Sequence, residues 1–390
     1  MPPLFLAGYA QNRLEVGAPS GNYHDDTAHL SMVAPARPII QALATISRHR
    51  MFPYGQSALK PTLVRLQRVR GRSGIHAGPQ LPNATPCAVA IGTFDGVHLG
   101  HQALLARLCQ AARVRDLEPA VLTFEPAPRE WFARQRGEAV PTRISSLRDR
   151  IAQLAECGVR RVGITRFDAE VAALSAHDFI ESVLVGQMGA RHLFVGDDFR
   201  FGARRSGDYS LLEALGPELG YTVERLDTVT NPAGARVSSS AIRRLLADGD
   251  LAGATTLLGT PWHLDGRVIH GAKLGRTLGF PTLNLRVPTA HPAAKGVFVV
   301  RVHGLAPTPL PAVASLGTRP VVEDAGRMLL ETHLLDWRGN AYGQLIRVEF
   351  LHKLRDEARW EGPDALALLT AQIQRDAEDA RAWFAESLNL

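Results

Sequence analysis

Cysteine is scarce in this chain: three residues among 390, Cys87, Cys109 and Cys157. They form no CxxC or other metal-ligand spacing, and an odd number in apolar surroundings fits buried thiols in a reducing compartment, so a cytoplasmic location is expected. Long apolar runs are missing as well. The longest uncharged stretch, residues 73–94, contains Pro79, Pro82, Pro86 and several glycines, which rules out the continuous helix that crossing a bilayer demands. The opening MPPLFLAGYAQN has neither a basic n-region nor a long apolar h-region, so no export signal is expected. Gly-Lys never occurs and there is no G-x-G, which disfavours both a P-loop kinase and a Rossmann dehydrogenase. Internal repeats are absent.

Excess charge is also lacking where it would matter. The formal net charge is +6, but residues 1–83 hold nine Lys/Arg against three Asp/Glu, leaving 35 of each in residues 84–390. A neutral folded part is a poor match to a phosphate-backbone binder, so no nucleic-acid partner is expected. With 45% apolar and 21% charged residues the composition is globular, and at roughly 150 residues per domain the length suggests two or three domains.

Residues 1–83 keep no sustained period of 3.6 or 2 and are rich in Pro, Gly, Ser and His; they read as a mostly disordered extension. From Cys87 onward, apolar runs alternate with helical patterns. Strands are expected at Ala88–Gly92, Ala120–Phe124, Arg161–Ile164, His192–Val195 and Thr222–Leu226. Helices are expected at Leu99–Arg115, Ser146–Cys157, Ala176–Met188, Ser210–Leu219 and from Ser238 to Leu246, with a basic loop after Phe124. Continuous apolar strands between helices are the signature of a parallel sheet covered on both faces, so residues 84–258 read as a doubly wound α/β domain. After Gly259-Thr260-Pro261 strands dominate. Gly296–His303 alternates with Phe298, Val300 and Val302 on one face, and Leu345–Leu351 with Ile346, Val348 and Phe350. Residues 259–390 therefore read as a small antiparallel β-barrel with a C-terminal helix from Pro363 to Phe384.

The chemistry-bearing residues cluster. The strand into Gly92 is followed by GTFDGVHLGH, Gly92–His101. His98 and His101 are three apart in the first helical turn, beside unpaired backbone N–H groups and the positive end of the dipole. Gly92, Gly96 and Gly100 let a phosphate approach backbone, and the loop reads as an anion site. GDDFRFG, Gly196–Gly202, ends a strand with Asp197, Asp198, Phe199 and Phe201. In VSSSAIRR, Ser238–Ser240 offer hydroxyls and an N-cap, with Arg243 one turn on. Alone, these two segments are a turn and a capped amphipathic helix; together they supply a second anion clamp suited to a triphosphate at the carboxyl edge of the sheet.

The HxGH and SSSxIR pair resembles the nucleotidyltransferase superfamily, and GTFDGVHLGH with GDDFRFG resembles the adenylyltransferase half of bacterial bifunctional riboflavin kinase/FAD synthetases. The resemblance covers about residues 84–387 and implies that ATP and FMN are joined to FAD with release of pyrophosphate. It implies ATP-binding roles for Gly92, Phe94, Asp95, Gly96, His98, Gly100, His101, Ser239, Ser240 and Arg243, catalysis by His98 and His101, and an FMN/ATP loop at Gly196, Asp197, Asp198, Phe199 and Phe201. It departs at FEPAP, Phe124–Pro128, where many relatives carry a histidine and this chain has Ala127, so no catalytic duty is assigned there.

In the second half, Gly271, Gly275 and Gly279 interleave with Lys273 and Arg276 ahead of Thr282 and Asn284. A hydroxyl and an amide oxygen on one strand face suit a hard Mg²⁺ that also holds ATP phosphates; the plain alternative is a Gly-rich hairpin. Glu331, in LLETHLLD, is either a solvent-facing alternation residue or a general base in the barrel mouth. GRTLGFPTLN resembles the riboflavin kinase signature, which implies Mg-ATP binding by Gly271, Lys273, Gly275, Arg276, Thr282 and Asn284 and places the base at Glu331. KLRDEARW resembles the flavin-contacting region and implies roles for Arg355, Glu357 and Trp360. Leu283 replaces the usual Ala and Trp360 a frequent Phe. The expectation is a monomer or weak homo-oligomer acting on riboflavin, FMN, FAD and ATP with Mg²⁺, away from membranes and nucleic acid.

Overall fold

Five consecutive apolar residues, Cys87–Ile91, are all buried, which requires cover on both faces of their sheet. The computed structural model, which describes residues 60–66 and 85–387 except 227–228, 231–233, 235, 272–273, 288–290, 319–327 and 359–360, supplies it. Six parallel strands, β1 (Thr62–Arg65), β2 (Cys87–Ile91), β3 (Glu118–Glu125), β4 (Arg161–Arg166), β5 (Ala190–Gly196) and β6 (Thr222–Leu226), lie in the order β1-β4-β3-β2-β5-β6. Ala88, Ala90 and Val121 face α1 (Leu99–Val114), while Cys87, Val89 and Leu122 face the opposite layer around Phe179, Ile180 and Leu184. The chain runs from β2 outward through β3 to β4 and then returns to β5 on the other side of β2. That reversal is the switch point at which open α/β sheets bind ligands.

The remaining helices of this half are α2 (Pro128–Gln135), α3 (Leu147–Glu156), α4 (Ala169–Ala173), α5 (Ala176–Asp178), α6 (Tyr209–Leu219), α7 (Ser239–Asp248) and α8 (Leu251–Leu258). Three findings differ from the sequence reading. First, the segment read as a basic loop contains α2, which Pro128 opens at its first position. Second, the helix expected through Met188 winds more widely over Phe179–Gln187, a rare i→i+5 geometry. Third, residues 1–83 are not wholly an extension outside the fold: Thr62–Arg65 pairs with Arg161–Ile164 at the sheet edge. Alternation was too short there to register. Residues 1–59 and 67–84 lie outside the described residues.

The second half is a closed antiparallel barrel of β7 (His263–Ile269), β8 (Leu283–Arg286), β9 (Gly296–His303), β10 (Leu310–Thr318), β11 (Met328–Leu334) and β12 (Leu345–Arg355), in the order β10-β11-β8-β7-β12-β9. A short α9 (Leu274–Thr277) interrupts the connection from β7 to β8, and α10 (Ala365–Ser387) starts two residues after the expected Pro363. Phe298, Val300, Val302, Ala312, Leu330 and Phe350 fill the interior. Val297, Val299 and Val313 point outward under Ala377 and Ala380 of α10.

The interior cluster also takes in Ile242 and Leu246 of α7 and Leu251, Ala254, Leu257 and Leu258 of α8. The boundary expected at 258/259 thus falls inside one apolar cluster. A fragment of residues 259–390 discards Leu246, Leu251 and Leu257, each contributing roughly 1.5–3 kcal/mol when buried. It is expected to be less stable than residues 238–390 by at least ~3 kcal/mol in urea unfolding; equal stability would place the boundary at 259 after all.

Candidate functional site

The loop after β2 is held in a conformation few residues tolerate. Phe94 and Val97 have φ of 50° and 36°, and Gly96 has 87°, where a Cβ would sit 2.7 Å from Ile144 Cγ2. This loop delivers His98 as the N-cap of α1, with Nδ1 accepting from the His101 backbone N–H at 3.4 Å. The two imidazoles stack at 3.7 Å between centroids, 19° apart, and a Cβ at Gly100 would crowd His98 at 3.2 Å. Burial lowers the His98 pKa to about 4, Asp95 opposing and Arg243 and Arg236 adding to it. Burial, then His98 and Arg150, holds His101 well below the usual imidazole range. Both rings are neutral at pH 7.

This arrangement has a pH signature. The unfolded chain binds protons at these histidines below about 6.5, whereas the folded chain refuses them, so stability is lost as pH falls from 6.5 toward 4. The melting temperature of the α/β half is expected to drop between pH 7 and pH 5. His98→Asn, which keeps an N-cap acceptor, should lessen the drop; an identical pH profile would contradict the assignment.

Asp95 is the hub beneath the loop. Its carboxylate accepts from the Ile144 N–H at 3.1 Å, the Ser145 N–H at 2.9 Å and Arg243 NH2 at 2.6 Å. Ser239 Oγ donates to the Asp95 carbonyl at 3.1 Å, and Arg243 Nε donates to Thr142 O at 2.6 Å. The structure therefore brings GTFDGVHLGH and SSSAIR together, but Asp95, Ser239 and part of Arg243 join segments to one another. Ser238 caps α7 and Ser240 is exposed. GDDFRFG leaves β5, the neighbour of β2, at the same edge. Asp197 and Asp198 are exposed, Asp198 pairing with Arg236 at 2.8 Å. Phe199 stacks on Phe201, and Gly202 and Gly207 pack against Ala176, leaving no room for a Cβ.

Sequence reasoning missed two features here. The first is an aromatic chain: Phe201 touches Phe179, Phe179 touches Phe124, and Phe124 meets Phe167, against which Trp131 and Phe132 of α2 pack. Its rings meet mostly edge-on or tilted, with Phe179 and Phe201 buried in the core, and its sequence signal was the aromatic pair that followed FEPAP. The second is an ion network behind the loop. Arg143 holds both oxygens of Glu130 at 2.6 Å and reaches Glu125 Oε1 at 2.6 Å, and Arg150 is fully buried beside it.

In the barrel, pairing puts distant motifs in one row. Asn284 lies opposite Glu331, Glu331 opposite Ser315, Ser315 opposite Val297 and Val297 opposite Arg355. Leu330 and Thr332 point into the core, so Glu331 faces the outer wall. Alternation on β11 puts Glu331 on the outer face of the barrel wall, a place compatible with either sequence reading of this residue. Glu357 folds back over the same wall, where a Cβ at Gly317 would collide with its carboxylate. Arg355 is held by Asp376 of α10 through Nε–Oδ1 at 2.8 Å and NH2–Oδ2 at 2.7 Å. The Asp376 pair fixes the orientation of its fork.

Asn284 is buried, its Nδ2 lying 3.5 Å from Thr282 Oγ1, and its Oδ1 has no partner among the described residues. Gly271 makes the close approach possible, since a Cβ there would be 2.5–2.6 Å from the Asn284 amide. Gly275 packs on the Phe280 carbonyl, and Arg276 is exposed. Lys273 and Trp360 lie outside the described residues. Among the described residues, the ligand atoms of His177, Asp178 and Glu181 also lie within 4.8 Å of one another, but Asp178 is engaged with Ser175 at the start of α5.

Two family models match the chain, FAD synthetase over residues 80–241 and riboflavin kinase over residues 258–384. The bifunctional riboflavin kinase/FMN adenylyltransferase of Escherichia coli (strain K12) is 46% identical over 311 residues, 80% of this chain and 96% of that protein. The protein of the same description from Pseudomonas fluorescens is 40% identical over 322 residues, 83% of this chain and 99% of its own length. A solved structure described as a macrolide-efflux protein from Streptococcus pneumoniae matches with a TM-score of 0.61 at 28% identity, covering 82% of this chain and 99% of that one. Among the described residues no helix is long and apolar enough to cross a membrane.

Proposed function

The chain belongs to the bifunctional riboflavin kinase/FMN adenylyltransferase family, and from that premise we propose which residues carry each of its two reactions. It phosphorylates riboflavin to FMN and adenylylates FMN to FAD, using ATP in both steps.

For the kinase step, Glu331 takes the proton of the ribityl 5′-hydroxyl as that oxygen attacks the γ-phosphorus and ADP leaves. What carries this reading is the outer-wall row, which lines up Glu331 with Asn284 on one side and Arg355 on the other. Thr282 and Asn284 are the proposed holders of Mg²⁺. The unpartnered, buried Asn284 Oδ1 beside Thr282 Oγ1 fits a hard cation that takes its remaining oxygens from phosphates and water. When bound, the ion would neutralise phosphate charge. Gly271, Lys273, Gly275 and Arg276 are proposed to bind ATP. Glu357 and Trp360 are proposed to contact the flavin, and Arg355 to position them.

For the adenylyl step, a phosphate oxygen of FMN attacks the α-phosphorus of ATP. That phosphate is already anionic, so positioning and charge stabilisation suffice. His98 and His101 at the start of α1 are the proposed donors. Gly92, Phe94, Gly96, Gly100, Ser240 and Arg243 shape the ATP site, with Asp95 and Ser239 as its scaffold. The isoalloxazine is proposed to lie against the half-buried Phe124, next to Gly196, Asp197, Asp198 and Phe199. None of the three cysteines is in a disulfide, and burial pushes the Cys87 thiol up to about 12; thiols left reduced support a cytoplasmic setting.

The test is direct: pure protein with riboflavin, Mg²⁺ and ATP, flavins separated by chromatography. FMN followed by FAD is expected. Riboflavin retained but unchanged would reduce the protein to a flavin-binding module.

A further inference from the structure

Three arginines stand behind the histidine loop, and they are committed very differently. Arg143 has Glu130 and Glu125 within 2.6 Å, and Arg243 has Asp95 and the Thr142 carbonyl at the same distance. Arg150, in the first turns of α3, is 2% exposed, yet of its five N–H groups the described residues engage little. NH1 donates to Thr123 Oγ1 at 3.3 Å, NH2 lies 3.8 Å from Glu125 Oε2, and Nε has no partner. Glu125 Oε2 and His101 Nδ1, both buried, likewise have no hydrogen-bond partner among the described residues.

A buried guanidinium this poorly satisfied costs the fold stability, so its presence points to a purpose other than stability. Its connections point forward: Thr123 Oγ1 donates in turn to the Thr93 carbonyl at 3.4 Å, within GTFDGVHLGH. Arg150 is also among the groups that keep His101 neutral, after burial and His98. With both imidazoles uncharged, Arg150 is the one of these three arginines that makes no hydrogen bond to a carboxylate, Asp95, Glu125 and Glu130 acting on it only at longer range.

We propose that Arg150 is the fixed buried cation of the adenylyl-transfer site, a positioning residue that sets the positive potential into which the pyrophosphate charge develops. In that step the bond from the FMN phosphate oxygen to the α-phosphorus forms and the bond from the α-phosphorus to the bridging oxygen breaks. The electron pair leaves on pyrophosphate and no proton moves. Charge grows at the leaving group, and a preorganised cation that needs no solvent reorganisation favours the transition state over the ground state.

The inference rests on the adenylyl-transfer reading of this site. The test compares the full chain with Arg150→Met and Arg150→Lys, supplying FMN and ATP and separating kcat from KM, with riboflavin phosphorylation in the same preparation as the internal control. Arg150→Met is expected to lower kcat for FAD formation about a hundredfold while KM for FMN stays within roughly threefold. Arg150→Lys should recover most of the loss, and FMN formation should be unchanged in both. A parent-like Met variant, or Met and Lys variants equally impaired, would overturn the inference. If Arg150→Met no longer binds FMN, the Lys variant decides: parental turnover supports a charge role, and turnover below about a tenth overturns it. Parent protein that makes no FAD would instead sink the adenylyl-transfer reading itself.

Discussion

Replacing Glu331 with Gln is expected to lower FMN formation from riboflavin by roughly a hundredfold to ten-thousandfold, the usual contribution of a general base. The substitution keeps size and hydrogen bonding and removes only the proton acceptor. Because the 5′-hydroxyl is neutral, it must lose its proton as it attacks. Riboflavin and ATP should still bind, since Thr282, Asn284 and the Arg355–Asp376 pair are untouched. The same protein given FMN should make FAD at the parental rate, because that nucleophile needs no base. Near-normal kinase turnover in Glu331→Gln would make the carboxylate an ordinary outward residue of β11, which its place on the alternating face also permits.

His98→Ala or His101→Ala should produce the opposite pattern. FAD formation from supplied FMN is expected to fall on the order of a hundredfold to a thousandfold, the cost of removing one preorganised donor, while FMN formation continues. His98 has a second duty, since its Nδ1 caps α1, and losing a cap costs about 1 kcal/mol of stability. His98→Asn separates the two, because Asn can cap the helix without an imidazole. It should melt close to the parent and remain defective in FAD formation. Equal loss of both reactions in a folded variant would mean that the two sites are not separate.

The two patterns together rest on residues that sequence alone could single out. GTFDGVHLGH and GRTLGFPTLN pack glycine, histidine, hydroxyl and amide groups into runs of about ten residues. Their chemistry is local: strand, turn and helix start are adjacent in the chain. Likewise the alternation of apolar strands with helices foretold a sheet covered on both faces, because burial periodicity is a property of each segment. The segments that strayed were short or irregular, namely β1, α2 and the widened turn through Phe179–Gln187, where periodicity has too few residues to speak.

What strand order and packing decided could not be read from spacing. Asn284, Glu331, Ser315, Val297 and Arg355 share a row only because β8, β11, β10, β9 and β12 are neighbours in that register. Whether Glu331 faces the core or the outer wall turns on a one-residue choice of face, set by which side of β11 the barrel closes around. Arg355 stands out in KLRDEARW, but the partner that fixes its fork, Asp376, comes from the last helix and could not be named from spacing. Nothing in the helical pattern of Ser146–Cys157 singles out Arg150, whose surroundings come from Thr123 and Glu125 on a strand laid down before it. The sequence by itself therefore determined the two chemistries and the class of each half. Tertiary structure alone decided which charges are buried together, since electrostatic interaction depends on distance and dielectric environment, and neither is a function of separation along the chain.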